Sequence, residues 1–439
     1  MDTPPDPRHH ALTSAAASLR RAILAHAVVG GLLLLLSIIA ALLRAPEILP
    51  LVQRSLLVGY SATPDAAALL LLLLSLANIS VLLILYLALQ AHEVWALPAL
   101  LLFLVASIIL LVMFGYLPAL ISLGFGAYVG LYALRARHLL RANPVMIREL
   151  RGRMRGARAF VVLTLYLALM GGFSLILYFV FGAVNAQNAS SATGVIGRTL
   201  FVGVVAVQLL LIILIAPSFT AGAITGERER QTYDLVRTTL LTTPSFIIGK
   251  LESSLAYILL LLLAAIPLQA LAFLFGGIGQ AELLLAFVIL MVTAVAFGAV
   301  GIFFSASQVR TLSASVRTYS GIAVGAFIVP FVPLVIINLV LNSGVFSGSS
   351  ALNTPVFEAL LHYIRLLATS LNPFTTALDT QNLLVGQQVW SVYSLTLASD
   401  GSAIPMVASW IPFSILYMGM AALLVILTIR AAHRNDREA

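Results

Sequence analysis

Charge is scarce in this sequence, so the residues able to do chemistry stand out against an apolar background. Of 439 residues, 61% are hydrophobic and only 9% are charged. The densest polar group is ITGERERQTYDLVRTTLLT, residues 224–242, set between two long apolar runs. Gly226 is placed to serve as a helix N-cap, with Glu227 and Glu229 in the first turn, where the helix dipole favours anions. Arg228 completes an acid-base-acid-base run. Glu227, Arg230, Asp234 and Arg237 recur at helical spacing, so opposite charges alternate along one face. Tyr233, Val236 and Leu240 form an adjacent apolar stripe. Thr242-Thr243-Pro244 stops the pattern, because the residue before proline avoids the α region. The spacing predicts a short charged helix over residues 227–240 with one face free for a partner; a solvated loop whose charges only fix topology is the competing reading.

A second group is basic. Arg148, Arg151, Arg155 and Arg158 line one face of a predicted helix, and Ile147, Leu150 and Met154 line its neighbour. Such a helix lies in the membrane interface or anchors the inner side. Asn143-Pro144 supplies its N-cap and N1 residues.

Catalytic and metal chemistry find little to work with. Cysteine is absent, which excludes disulfides, thiol catalysis and Cys-based metal sites. His92-Glu93 lacks the second histidine of an HExxH site, and His9-His10 lies in a polar terminus. His26 reads as an interface residue and not a ligand. Residues 343–350 are a polar loop without a nucleophile elbow, and Asn188-Ala-Ser is a weak glycosylation match. Gly249-Lys250-Leu251 has neither the upstream glycine nor the hydroxyl of a phosphate-cradling loop, so ATP is not bound that way. Lys250 is the only lysine in the chain. No catalytic residue, metal site or resident cofactor is predicted.

The elements that hold these groups are membrane spans. A soluble domain carries about 25% charged residues, and 9% excludes that class. Apolar runs at residues 22–43, 66–90, 97–115, 117–134, 159–181, 199–220, 251–276, 283–306, 320–341 and 410–429 are long enough to cross a hydrocarbon core of roughly 30 Å. The minimal turn at Gly115-Tyr116 separates the third from the fourth; one kinked helix is the alternative. Gly126 and Gly130 offer a small face for close packing. Placing the N-terminus inside puts all but Arg44, Arg54, Arg198 and Arg365 of the 24 basic residues on the inner side. The net charge of +8 fits an anionic inner leaflet before nucleic acid. Span centres lack Asp and Glu, which argues against proton coupling, although Pro330, Pro333 and Gly171-Gly172 interrupt two spans as in secondary transporters. Residues 356–371 are broken by Glu358, His362 and Arg365 and predict no span.

The order of residues 224–250, an alternating charged run after Gly, then Thr-Tyr-Asp-Leu, a hydroxyl-Pro turn and Gly-Lys, closely resembles the first cytoplasmic loop of type-2 ABC exporter permeases. NPVMIRELRGRMRGARAFVVLTLYL, from Asn143, looks like that family's elbow helix and first span, and LNPFTTAL, from Leu371, like its short external helices. The resemblance covers residues 143–439. The apolar runs give an all-α polytopic membrane protein of about ten spans, with a disordered terminus (1–21) and a four-helix region (22–135) outside the resemblance. The resemblance implies an elbow (136–158) and a six-helix permease domain (159–439) after them. Within the last lie a coupling loop (221–250) and an external re-entrant or cap region (342–409). It also implies that Glu227, Arg228, Glu229, Arg230, Tyr233, Asp234 and Arg237 couple to a separate ABC ATPase subunit holding ATP and Mg. A second permease copy or paralogue completes the pathway, walled by the second and fifth spans, where Gln208, Ser218, Thr220 and Asn338 are the polar residues. Few polar groups there point to an apolar or amphipathic cargo. The expected setting is a prokaryotic plasma membrane, with both termini cytoplasmic, lipids as further partners and no nucleic acid. Secondary transport, or a non-transporting anchor for an ATPase, are the alternatives.

Overall fold

The computed structural model describes residues 17–29, 32, 64–114, 116–135, 142–155, 157–185, 192–233, 242–343 and 354–438. The described chain is helical apart from one two-stranded hairpin, β1 (Val392–Thr396) with β2 (Ala403–Val407). That hairpin falls in a segment expected to be helical or loop. Its turn carries Gly401 at φ 72°, a conformation that glycine adopts without a Cβ penalty.

The chain divides into two compact units. The first comprises residues 1–143, 242–246 and 393–406. It contains α1 (residues 17–29), α2 (Pro64–Gln90), α3 (Ala96–Phe114) and α4 (Ala119–Arg135). Leu19, Leu82, Leu85, Leu100, Phe103 and Val129 form its core. α3 and α4 are separate helices that pack on each other, so the turn at Tyr116 prevails over the kinked alternative. Gly126 makes this approach possible: a Cβ there would sit 2.6 Å from Leu104 Cδ2. His26 is fully buried and not an interface residue; its Nε2 lies 2.8 Å from Ser122 Oγ, and Ser122 donates to Asn78 Oδ1 at 2.9 Å. Asn143 donates through Nδ2 to Glu93 Oε1 and to the Ser245 carbonyl, both at 2.7 Å.

The second unit comprises residues 144–241, 247–392 and 407–439. Its elements are α5 (Pro144–Met154), α6 (Ala157–Asn185), α7 (Ala192–Ala221), α8 (Thr225–Glu229), α9 (Thr243–Ala264), α10 (Ile266–Leu274), α11 (Gln280–Ser307), α12 (Thr311–Ile322), a π-turn (Ala323–Ile328), α13 (Val329–Asn342), α14 (Pro355–Ser370), α15 (Pro373–Gln387) and α16 (Trp410–Glu438). α11 is the central helix, packed between α7 and α16. Small residues on α11 let α7 come close: a Cβ at Gly301 would collide with the Thr220 side chain. The π-turn precedes Pro330 and Pro333. Proline removes an N–H and crowds the carbonyl four residues back, and a widened turn relieves both.

Among the described residues six helices are long and apolar enough to cross a membrane: Phe160–Phe181, Gly194–Glu229, Thr243–Leu274, Gln280–Ser307, Thr311–Asn342 and Trp410–Ala432. This makes the molecule a helical membrane protein. They match the six spans expected after residue 158. In the first unit the apolar helices Leu74–Gln90, Ala96–Val112 and Ala119–Arg135 are shorter, and most of the expected span 22–43 lies outside the described residues. Contacts gather Ile224, Lys250 and Ser305 at one end of this bundle, and Gly194 with Gly277, Glu282 with Gln381 and Ser409 with Thr380 at the other.

Candidate functional site

The loop end of the six-helix unit is organised by Lys250, about two turns inside α9. Its side chain is 5% exposed. Its Nζ donates to Glu149 Oε1 of α5 at 2.7 Å and to Glu227 Oε1 of α8 at 2.8 Å. Burying an ammonium is costly unless it is paired and hydrogen-bonded, and here two carboxylates supply that. Arg148 closes the group from the solvent side, 3.5 Å from Glu149 and 3.7 Å from Glu227. Burial pushes the Glu149 carboxyl up, but Lys250, with Arg153 and Arg148, outweighs it and holds the group below the usual carboxylate range. One lysine thereby ties together three elements, α5, α8 and the first turns of α9.

The loop itself differs from the expected helix. Gly226 is not an N-cap: α8 starts at Thr225, and Gly226 N–H donates to the Gly222 carbonyl at 3.0 Å. The early amides are satisfied from across the bundle, since Ser305 Oγ accepts from Ile224 N at 2.9 Å and Thr225 N at 3.1 Å. Nor does the helix run over residues 227–240. Gln231 takes φ 57° and ends it after Glu229. Thr232 donates to the Glu227 carboxylate, which draws the chain back toward Lys250. Asp234 and Arg237 lie outside the described residues.

The predicted alternation of free charges is also revised. Glu227 faces Lys250. Arg228 donates to the Gln308 carbonyl at 2.7 Å and lies 5.3 Å from the Tyr233 ring centre. Glu229 accepts from Thr311 N at 2.7 Å and Thr311 Oγ1 at 2.9 Å, at the first residue of α12. Of the four described charges in this run, three thus anchor the loop to its own bundle. The tip Glu229–Arg230–Gln231 remains exposed.

α5 is shorter than the expected elbow. It ends at Met154, and Arg158 belongs to α6. Arg148, Arg151 and Arg155 are exposed as expected. Arg153, which the spacing argument passed over, stacks over Phe219 at 5.0 Å and donates to the Phe219 carbonyl at 3.4 Å.

The four predicted pathway residues differ in exposure and in bonding. Gln208 is buried between helices, accepting from Gln269 Nε2 at 2.8 Å and lying 3.5 Å from the Tyr166 hydroxyl. Thr220 is buried against α11 and donates to the Ala216 carbonyl at 3.1 Å. Ser218 is exposed and donates back to the Ile215 carbonyl at 2.8 Å, and Asn338 is half-buried. A mid-span polar residue in an apolar bundle satisfies itself within the bundle, as Gln208 and Thr220 do.

Among the described residues no group of three His, Cys, Asp or Glu is arranged to hold a metal. The members that spacing alone missed had a different signal, rarity. Lys250 is the single lysine, and Glu149 is the single acid between Glu93 and Glu227.

Compared with models of known families, the chain matches none, and no curated protein matches it either.

Proposed function

We propose that the chain is the transmembrane permease subunit of an ATP-driven exporter, working with an ATPase on a separate polypeptide. The reading rests on the resemblance at residues 143–439 and gains its main support from the Lys250 clamp. A buried ion pair that joins the exposed loop tip to α5 and α9 makes the tip a stiff handle. A partner pressing on Glu229–Gln231 would move the ends of three helices together instead of bending a loop. In this reading the loop end is cytoplasmic, four N-terminal helices bring the total to about ten spans, and the protein sits in a prokaryotic plasma membrane as a homo- or heterodimer. Its cargo is apolar or amphipathic, moved by alternating access.

The test pairs two kinds of variant in membrane vesicles. Reversal at the tip, Glu229→Arg with Arg230→Glu, is expected to abolish co-purifying ATPase activity. Lys250→Met is expected to keep the ATPase and lose ATP-dependent export of a fluorescent amphiphile. Export driven by an ion gradient without ATP would favour secondary transport. ATPase recruitment without ATP-dependent movement of any cargo would favour an anchor.

A further inference from the structure

Beside the Lys250 clamp lies an open cavity of about 570 Å³, within the size range of small-molecule sites. Arg148, Arg153, Arg155 and Arg230 line it against one carboxylate, Glu149. That carboxylate is already engaged by Lys250 at 2.7 Å. Among the described residues the cavity therefore presents a surplus of positive charge.

Arg153 makes the need specific. Its guanidinium is held in place by the Phe219 ring and carbonyl. Its Nη1 is buried and has no hydrogen-bond partner. Burial pulls its pKa down, with Glu149 opposing. A buried cationic donor left without an acceptor is costly, and an oxyanion in the cavity would supply one. Several forked guanidiniums around one space match a phosphate, with its multiple oxygens, better than a single planar carboxylate.

The remaining wall identifies where that phosphate comes from. Val162, Phe219 and Tyr257 line the same cavity and belong to three of the six membrane-spanning helices. The cavity thus opens where apolar spans give way to the basic helix α5, the level at which lipid phosphates lie. We propose that this cavity is a phosphate site that takes the head group of an anionic phospholipid. The assignment stands apart from the exporter reading and holds for any membrane role of the chain.

Native mass spectrometry of the full-length protein in detergent tests it, with phosphatidylglycerol, phosphatidylcholine and inorganic phosphate as probes. Phosphatidylglycerol is expected to bind about tenfold more tightly than phosphatidylcholine. Arg153→Gln should remove most of that preference. Because Arg153 is partly buried, the exposed pair Arg155→Gln with Arg230→Gln provides a second measurement and should lower it as well. Arg317→Gln, exposed on α12 and outside the cavity, should leave binding unchanged. Competition by millimolar phosphate would support a site open to soluble phosphate, and its failure to compete would support the lipid source. Equal binding of the two lipids, or wild-type binding by the double variant, would overturn the proposal.

Discussion

Two polar clusters occupy opposite ends of the same six-helix unit, and they are built on different principles. At the loop end, Lys250 sits between Glu149 and Glu227, so charge answers charge. At the other end, Ser370, Thr376, Thr380 and Ser409 are buried at the junction of α14, α15 and α16 and are bonded through hydroxyls and carbonyls. Burial pushes the Asp379 carboxyl up there, only partly offset by Ser409 and Arg365. Two part-buried carboxylates thus shift in opposite directions, down for Glu149 and up for Asp379. The difference lies in the partner. A contacting ammonium outweighs desolvation, whereas a hydroxyl does not. The loop end is suited to holding elements together under load, and the far end to dense, neutral packing.

The largest effect should come from removing the centre of each cluster. Lys250→Met leaves two carboxylates without their common cation and is expected to cost about 3–5 kcal/mol of unfolding free energy. Ser409→Ala removes one hydroxyl from a redundant network and should cost about 1 kcal/mol. Denaturant unfolding in detergent measures both, and equal costs would break the contrast. Next come the carboxylates at neutral pH. Glu149→Gln weakens a charged hydrogen bond and should cost about 1.5–3 kcal/mol. Asp379→Asn should leave stability unchanged or raise it, since burial already disfavours the charged form.

Acid sharpens the same contrast. The Glu149 pKa is depressed by folding, so its contribution is complete above the ordinary glutamate value of about 4.3 and is lost as pH falls through the lower folded value. The stability gap between wild type and Glu149→Gln should therefore close below about pH 4.3. Asp379 runs the other way. Its folded pKa is raised, so its contribution is complete below about 3.9 and is lost as pH rises through the folded value. Any advantage of Asp379→Asn should appear on the neutral side and vanish on acidification. Parallel profiles for the two variants would show that partner chemistry does not separate the clusters.

Legibility in the sequence followed the same division. The six long spans were readable because burial in lipid leaves an unbroken apolar run. The basic helix was readable because periodicity survives in α5. The clamp was hidden because its members, Glu149, Glu227 and Lys250, are brought together by folding across 101 residues of chain. Helical spacing assigns Glu227 to the same face as Arg230; an early helix end at Gln231 and a buried lysine decide otherwise. The β-hairpin went unread because alternation in a five-residue strand is too brief to compete with flanking apolar runs.

The smallest effect concerns Gly226, and its sign carries the information. Were Gly226 the N-cap, alanine would disfavour the non-helical backbone of that position and loosen the loop. In the folded chain Gly226 is the second residue of α8, with its N–H already bonded to Gly222. A Cβ there meets nothing within 4 Å. Gly226→Ala should therefore stabilise by about 0.5–1 kcal/mol, the usual gain for alanine within a helix. The gain should also depend on Lys250, because the helical phase set at Thr225 aims Glu227 at the ammonium. In a Lys250→Met background Glu227 has less reason to hold that phase, and the benefit of alanine should shrink. A double-mutant cycle measures this coupling, and strict additivity would separate the start of α8 from the clamp.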